Sequence, residues 1–337
     1  MVAMPGKADQ VTGSEATFSK SRRFGRIATF DLGKRLSHDR LVVTSYKTVS
    51  RLLGMIPPSC ATIPAYVSGL AVFLSSPKKR QIVRDNLARP TGRKMGWWES
   101  NRLALRGYFS YSRYWVEALG LAQLSRRELS ARMSFNGFEN VFKALGQGKG
   151  VIFTTPHLGN WDFGAAWLAS GGHPITAVME ELEPRELFDW FSSHRITFGV
   201  KVIPASASAF GELAKTLARN EVVALVADRD IVSSGVTVPF FGEAASVPQG
   251  VALLSLRTGA PIIPAAVYML PGGGHYAVAM EPIRFSRTGR LRDDVAELTG
   301  LLVARYESLI RADPTQWHLF QPNWPSQMEN TDSGSTI

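Results

Sequence analysis

The chain has 337 residues, of which 45% are hydrophobic and 20% charged. This composition excludes wholesale disorder, collagen and a disulfide scaffold, and allows one large domain or two modest ones. The single cysteine, Cys60, can form neither an intramolecular disulfide nor a CxxC zinc site, so a reduced protein on the cytoplasmic side is expected. The formal net charge of +10 calls for an anionic partner, and its distribution narrows the choice. The first 130 residues carry 22 Lys plus Arg against 8 Asp plus Glu (+14), and the rest carry 16 against 20 (−4). A basic arm on a nearly neutral body does not read as a nucleic-acid-binding domain, and an anionic membrane surface is expected instead.

In chain order, residues 1–37 are expected to be a disordered tail, with no apolar core of a signal peptide. Residues 38–130 read as a helical basic segment that packs on the core and docks to membrane. Its longest uncharged stretch, 52–77, lies between Arg51 and Lys78 and is nominally long enough to cross a bilayer. Pro57, Pro58 and Pro64 break it into a helix ending near Ile56 and another over 64–74, each too short to span. Arg51, Lys78, Lys79 and Arg80 at its flanks suit an interfacial anchor meeting anionic headgroups. A helical pair packed onto the core fits the same residues, and both readings stand. Leu105, Phe109, Tyr111 and Trp115 form an apolar stripe that reads as core and not as a base-stacking platform.

The body, 131–325, alternates. Strands are expected over 151–155, 175–179, 201–203, 222–227 and 262–268. Helices are expected over 160–169, 184–198, 207–219, 251–257 and 291–311, with a long loop before the helix at 251 and a hairpin at 271–274. This pattern implies an α/β fold: a mainly parallel sheet flanked by helices on both faces, with ligands at the carboxyl ends of the strands. Gly146-Gln147-Gly148-Lys149-Gly150 precedes a strand instead of following one, so it reads as a turn and not a phosphate loop. Residues 326–337 are expected to be a second disordered tail.

Chemistry concentrates after the first body strand, in Thr155-Pro156-His157-Leu158-Gly159-Asn160-Trp161-Asp162. Pro156 ends the strand, Gly159 permits a tight turn and Asn160 is a good helix N-cap. The short turn can bring the Asp162 carboxylate back onto one nitrogen of His157, leaving the other to take a proton. The plainer alternative is that Asp162 complements the helix dipole and His157 is a solvated loop residue. GxSxG, catalytic-cysteine and zinc-ligand patterns are missing, which suits direct activation of a substrate hydroxyl without a protein nucleophile.

His157-x4-Asp162 after a strand is similar to the HX4D motif of glycerolipid-type acyltransferases, and the wider pattern resembles the lipid A acyltransferase superfamily. Further matches are Ala227-Asp228-Arg229-Asp230, Val238-Pro239-Phe240-Phe241-Gly242-Glu243, Pro248-x-Gly250 and Thr258-Gly259-Ala260-Pro261-Ile262-Ile263-Pro264. The ending, Asp313-Pro314-Thr315-Gln316-Trp317-His318, resembles that of the actinobacterial phosphatidylinositol mannoside acyltransferases. The resemblance covers roughly residues 80–325. It implies transfer of a long acyl chain from acyl-CoA or acyl carrier protein to a sugar hydroxyl of a membrane glycolipid, without cofactor, metal or covalent acyl-enzyme. His157 would be the base and Asp162 its orienting partner. Glu243 would bind the acceptor, Arg229 and Asp228 would bind substrate groups, and Glu181, Arg185 and Arg195 are further substrate-binding candidates. Trp161, Phe163 or Trp167 would line an acyl slot, while Trp317 and His318 would cap the structure. A peripheral location on the cytoplasmic face of the cell membrane follows from the same resemblance. A lipid A precursor or a lysophospholipid as acceptor, a thioesterase, and a non-catalytic lipid-binding protein remain the alternatives.

Overall fold

A computed structural model describes residues 32–56, 60, 62–206, 208–231 and 234–332. The expected N-terminal tail therefore lies outside the described residues except for its last six positions, which belong to a helix; Pro57 and Pro58 also lie outside the described residues. Four helices lead the chain: α1 (Leu32–Gly54), α2 (Thr62–Ser75), α3 (Pro77–Ala88) and α4 (Trp97–Gly120). Pro64 sits in the first turn of α2, where its missing N–H costs nothing. Ala65 and Gly69 are buried against α4, and a Cβ on Gly69 would meet Phe109 at 2.8 Å. On α4 the buried positions are Ala104, Gly107, Tyr108, Tyr114, Glu117, Ala118 and Leu119, rotated from the stripe expected through Leu105 and Trp115, because α2 also covers part of this helix.

The body continues with α5 (Arg126–Ala131), β1 (Met133–Asn136), α6 (Phe138–Leu145), β2 (Val151–Thr155), α7 (Trp161–Ser170), β3 (Ile175–Met179) and α8 (Arg185–Thr197). Then come β4 (Val200–Pro204), α9 (Ala209–Ala218), β5 (Val222–Val226), β6 (Val236–Phe240), β7 (Glu243–Val247), α10 (Gly250–Thr258), β8 (Ile262–Met269), β9 (His275–Ala279), α11 (Leu291–Ala312) and α12 (Pro325–Asp332). The seven-stranded sheet has the order β1-β9-β8-β2-β5-β3-β4 and is parallel except for the β8/β9 pair. Alternate residues of each strand face opposite layers. Ile152 packs with α9, α10 and α11 on one face, whereas Val151 packs with α5, α6 and α7 on the other.

Two expectations are corrected, and one strand is additional. The loop expected before α10 contains a β-hairpin, β6/β7, whose turn Phe241-Gly242 has positive φ at both residues (50° and 83°). Phe is an unusual residue for that geometry and Pro239 lies inside a strand, so the usual hairpin signals are missing. Strand β1 is too short and polar to announce itself. The tail expected from residue 326 begins as α12, fixed through Gln327 Nε2 to Asn86 Oδ1 at 2.7 Å.

Candidate active site

Strand β2 and its neighbour β5 end side by side, in parallel register Thr155 to Val226. His157 follows β2 and Asp228 follows β5, so topology brings the two together across 71 residues. His157 Nδ1 is 2.5 Å from Asp228 Oδ1, and the His157 main-chain N–H donates to Asp228 Oδ2 at 3.0 Å. A carboxylate only accepts, so Nδ1 carries the hydrogen and Nε2 is left as the acceptor of the neutral ring. Trp317 Nε1 donates to Asp228 Oδ2 at 2.8 Å. Burial raises the Asp228 carboxyl, but the imidazole and these donors outweigh it and hold the group below the usual carboxylate range.

The loop is held by main chain. Gly159 has φ 65°, and a Cβ there would lie 2.0 Å from the Val267 carbonyl oxygen, so only glycine fits. The His318 N–H donates to the His157 carbonyl at 2.7 Å, and Gly159 N–H to Gln316 at 2.9 Å. Asn160 caps α7 as expected, accepting from Phe163 N–H at 3.0 Å, while its Nδ2 donates to Glu117 Oε2 at 2.8 Å. Glu117 is also bound by Arg113 Nε and His275 Nε2, each at 2.8 Å. Burial raises the Glu117 carboxyl, but the His275 donor and the Arg113 guanidinium bring it well below its ordinary value.

Asp162 does not reach His157. The first turn of α7 directs its carboxylate to Arg195, whose Nε and Nη2 each donate at 2.8 Å, and to Tyr114 Oη at 2.9 Å. Burial works against the Arg195 charge, but the facing carboxylate raises it above the ordinary arginine value. Burial and the same carboxylate push the Tyr114 hydroxyl well up, so it stays a donor. The expected orienting partner is therefore replaced by Asp228, and Asp162 with Arg195 fastens α7 to α8.

A cavity of about 340 Å³ opens at His157 and runs between α7 and the sheet, lined by Tyr111, Trp161, Phe153, Ala177 and Ala224 among others. This falls in the size range of ligand pockets, roughly 300–1,000 Å³. Trp161 lines it as expected. Phe163 is fully buried and stacks on His275 at 3.7 Å, and Trp167 packs on Phe135 and Phe138, so neither lines the slot. Arg229 borders the opening with Glu180, whose Oε2 is 3.4 Å from Nη2, and the Gln321 amide oxygen, turned toward it, accepts from Nη1 and Nε at 2.8 and 2.7 Å. Glu181 is exposed outside the lining, and Arg185 pairs with Asp189 in solvent. Glu243 is not at the site: it sits at the β6/β7 turn, bound to Arg89 Nη1 at 2.9 Å and to Ser326, where it clasps α12. His318 lines the cavity with Nε2 2.9 Å from Ser110 Oγ, and burial lowers it to about 3, so it is neutral near pH 7. The role of Trp317 on Asp228 was not legible as chemistry, since nothing local links residues 89 apart.

Residues 33–326 match the model of the bacterial lipid A biosynthesis acyltransferase family. The chain is 33% identical over 251 residues to the phosphatidylinositol mannoside acyltransferase of Mycolicibacterium smegmatis, covering 74% of this chain and 80% of that protein. It is 32% identical over 279 residues to the enzyme of that name from Mycobacterium tuberculosis, covering 81% and 86%. It is 25% identical over 199 residues to the lipid A biosynthesis acyltransferase of Haemophilus influenzae, covering 58% and 60%. A histidine hydrogen-bonded to a buried carboxylate at an apolar cavity thus sits in a chain that belongs to the bacterial lipid A biosynthesis acyltransferase family and is an acyltransferase.

Proposed function

We propose that this acyltransferase moves a long-chain acyl group from acyl-CoA to a sugar hydroxyl of a membrane glycolipid, a phosphatidylinositol mannoside, at the cytoplasmic face of the membrane. The observation that carries the reading is the His157–Asp228 pair at the opening of the apolar cavity. The names of the mycobacterial relatives support the choice of acceptor. His157 Nε2 takes the proton of the acceptor hydroxyl as its oxygen attacks the thioester carbonyl. The tetrahedral intermediate collapses, the C–S bond breaks, and the imidazolium returns the proton to the departing CoA thiolate. Asp228 holds the ring in the required tautomer and stabilises its charged form. Arg229 at the opening suits an anionic group of either substrate.

No helix among the described residues is long and apolar enough to cross a membrane. The outward side of α2 nevertheless presents Ile63, Val67, Leu70 and Leu74 in one exposed stripe, 43–67% accessible. Trp97 and Trp98 at the start of α4 are also exposed, and Lys78, Lys79 and Arg80 follow α2. An apolar stripe turned away from the core and edged with cations supports peripheral docking on an anionic bilayer.

The test uses the purified full chain with acyl-CoA and glycolipid extract, reading intact lipids by mass spectrometry. An acylated phosphatidylinositol mannoside is the expected product. An acylated lipid A precursor or lysophospholipid would reassign the acceptor. Fatty acid release indifferent to acceptor would make it a thioesterase, and binding without turnover a carrier.

A further inference from the structure

Glu117 of α4 is buried and does not line the cavity, yet three donors converge on its carboxylate. Arg113, one turn earlier on the same helix, donates to Oε1 at 2.8 Å and is a sufficient counter-ion. The other two donors come from distant segments: His275 Nε2 of β9 and Asn160 Nδ2 at the start of α7, each 2.8 Å from Oε2. Asn160 is itself fully buried, and its amide has one permitted orientation. A carboxylate only accepts, so Nδ2 faces Glu117; the Phe163 N–H only donates, so Oδ1 faces the helix start. The next residue, Trp161, packs on Tyr114 of α4 with ring centroids 4.2 Å apart. It also meets the His157 ring nearly at a right angle, 5.4 Å away. A displacement of Asn160 therefore reaches His157 twice, through the three-residue turn and through the Trp161 ring.

We infer that Glu117 is a positioning residue for acyl transfer: by orienting the Asn160 amide it seats the first turn of α7 and holds the His157 ring on Asp228. The inference rests on the reading of His157 as the base. His275 allows this role to be separated from plain packing. Burial lowers the pKa of its ring in spite of Glu117, and its buried Nδ1 has no hydrogen-bond partner among the described residues. The neutral ring can thus move its hydrogen to Nδ1, turning Nε2 into an acceptor, without breaking any other bond.

The test reverses the polarity of the Glu117–Asn160 bond. Glu117→Gln sets amide hydrogens against Arg113 or against the Asn160 and His275 donors, and Asn160→Asp sets two carboxylates face to face. The double variant restores the bond with glutamine donating to aspartate, which still caps α7, while His275 changes tautomer. Asn160→Ser keeps a capping oxygen, does not reach Glu117 and leaves the Arg113 pair intact, so the test survives a failure of Glu117→Gln to fold. Two readouts are taken on folded full-length protein: kcat and KM for acyl-CoA, and the downfield proton resonance of His157 Nδ1–H in the free enzyme. Each single variant is expected to lower kcat by about 10- to 100-fold, as a misplaced catalytic group does, with KM near wild type and the resonance displaced. The double variant should recover most of both. Losses that simply add in the double variant, as they do at independent sites, overturn the inference. So do a wild-type kcat and resonance in the single variants. A displaced resonance with kcat unchanged would instead sink the reading of His157 as the base and leave Glu117 as the residue that seats its ring.

Discussion

His157 Nδ1 and Asp228 Oδ1, 71 residues apart in the chain, are 2.5 Å apart at the ends of two adjacent parallel strands. The pair commits His157 to one tautomer, so the roles of the two residues are separable by substitution. His157→Ala is expected to lower kcat by about 10²- to 10⁴-fold, the usual contribution of a general base. Asp228→Asn keeps the shape but can turn an amide N–H toward Nδ1, reversing the tautomer, with a kcat loss of similar order. The double variant should lose little more than either single one, because the two act as a unit. Steady-state kinetics with saturating donor and acceptor decide the point, and additive losses would argue against a shared role.

Asp162 should behave differently. It neutralises Arg195 with both side chains mostly buried (8% and 16% exposed). Asp162→Asn leaves a buried guanidinium without its counter-ion, which costs about 3–5 kcal/mol. The expected signature is a large fall in the urea midpoint. If stability is kept and only kcat falls, the ion pair is catalytic and not structural.

Trp317→Phe keeps the ring packing with Phe240 and Trp324 but removes the indole donor to Asp228. Loss of a hydrogen bond to a buried charge is expected to cost about 1.5–3 kcal/mol of stability. Because the freed carboxylate is less fixed, kcat should fall while KM for acyl-CoA stays near wild type.

Acid tests the α4 to α7 clasp. Glu117 has a folded pKa below its ordinary 4.5, so its contribution is fully present above that value and is lost as pH falls toward the lower folded one. Stability of the wild type should therefore decline below about pH 4.5 more steeply than that of Glu117→Gln, which has no proton to take up at this site. Parallel curves from urea titrations across this range would rule the clasp out as an acid-labile element.

Membrane docking is checked by vesicle sedimentation. Lys78→Gln with Lys79→Gln should weaken binding to anionic vesicles by about 1 kcal/mol per charge removed. Trp97→Ala with Trp98→Ala should weaken binding to neutral vesicles as well. Equal binding to neutral and anionic vesicles by the wild type would remove the electrostatic part of the argument.

Much of the fold is written locally. The alternation of apolar runs with amphipathic stretches placed ten of the body elements, because burial on two faces of a parallel sheet imposes that pattern. Pro156, Gly159 and Asn160 likewise announced a strand end, a turn and a cap, each a property of one residue's own backbone. The partners of the site were not local in this sense. Four residues' spacing made Asp162 the evident partner of His157, yet α7 turns that carboxylate toward α4 and α8. Glu243, prominent in its motif, became a clasp for α12, and His275 found Glu117 across 158 residues. Sequence by itself determined which segments become strands and helices and which histidine stands at a strand end, since these depend on neighbours along the chain. The tertiary structure alone decided which carboxylate lies on that histidine, since this depends on which strands lie side by side and in what register.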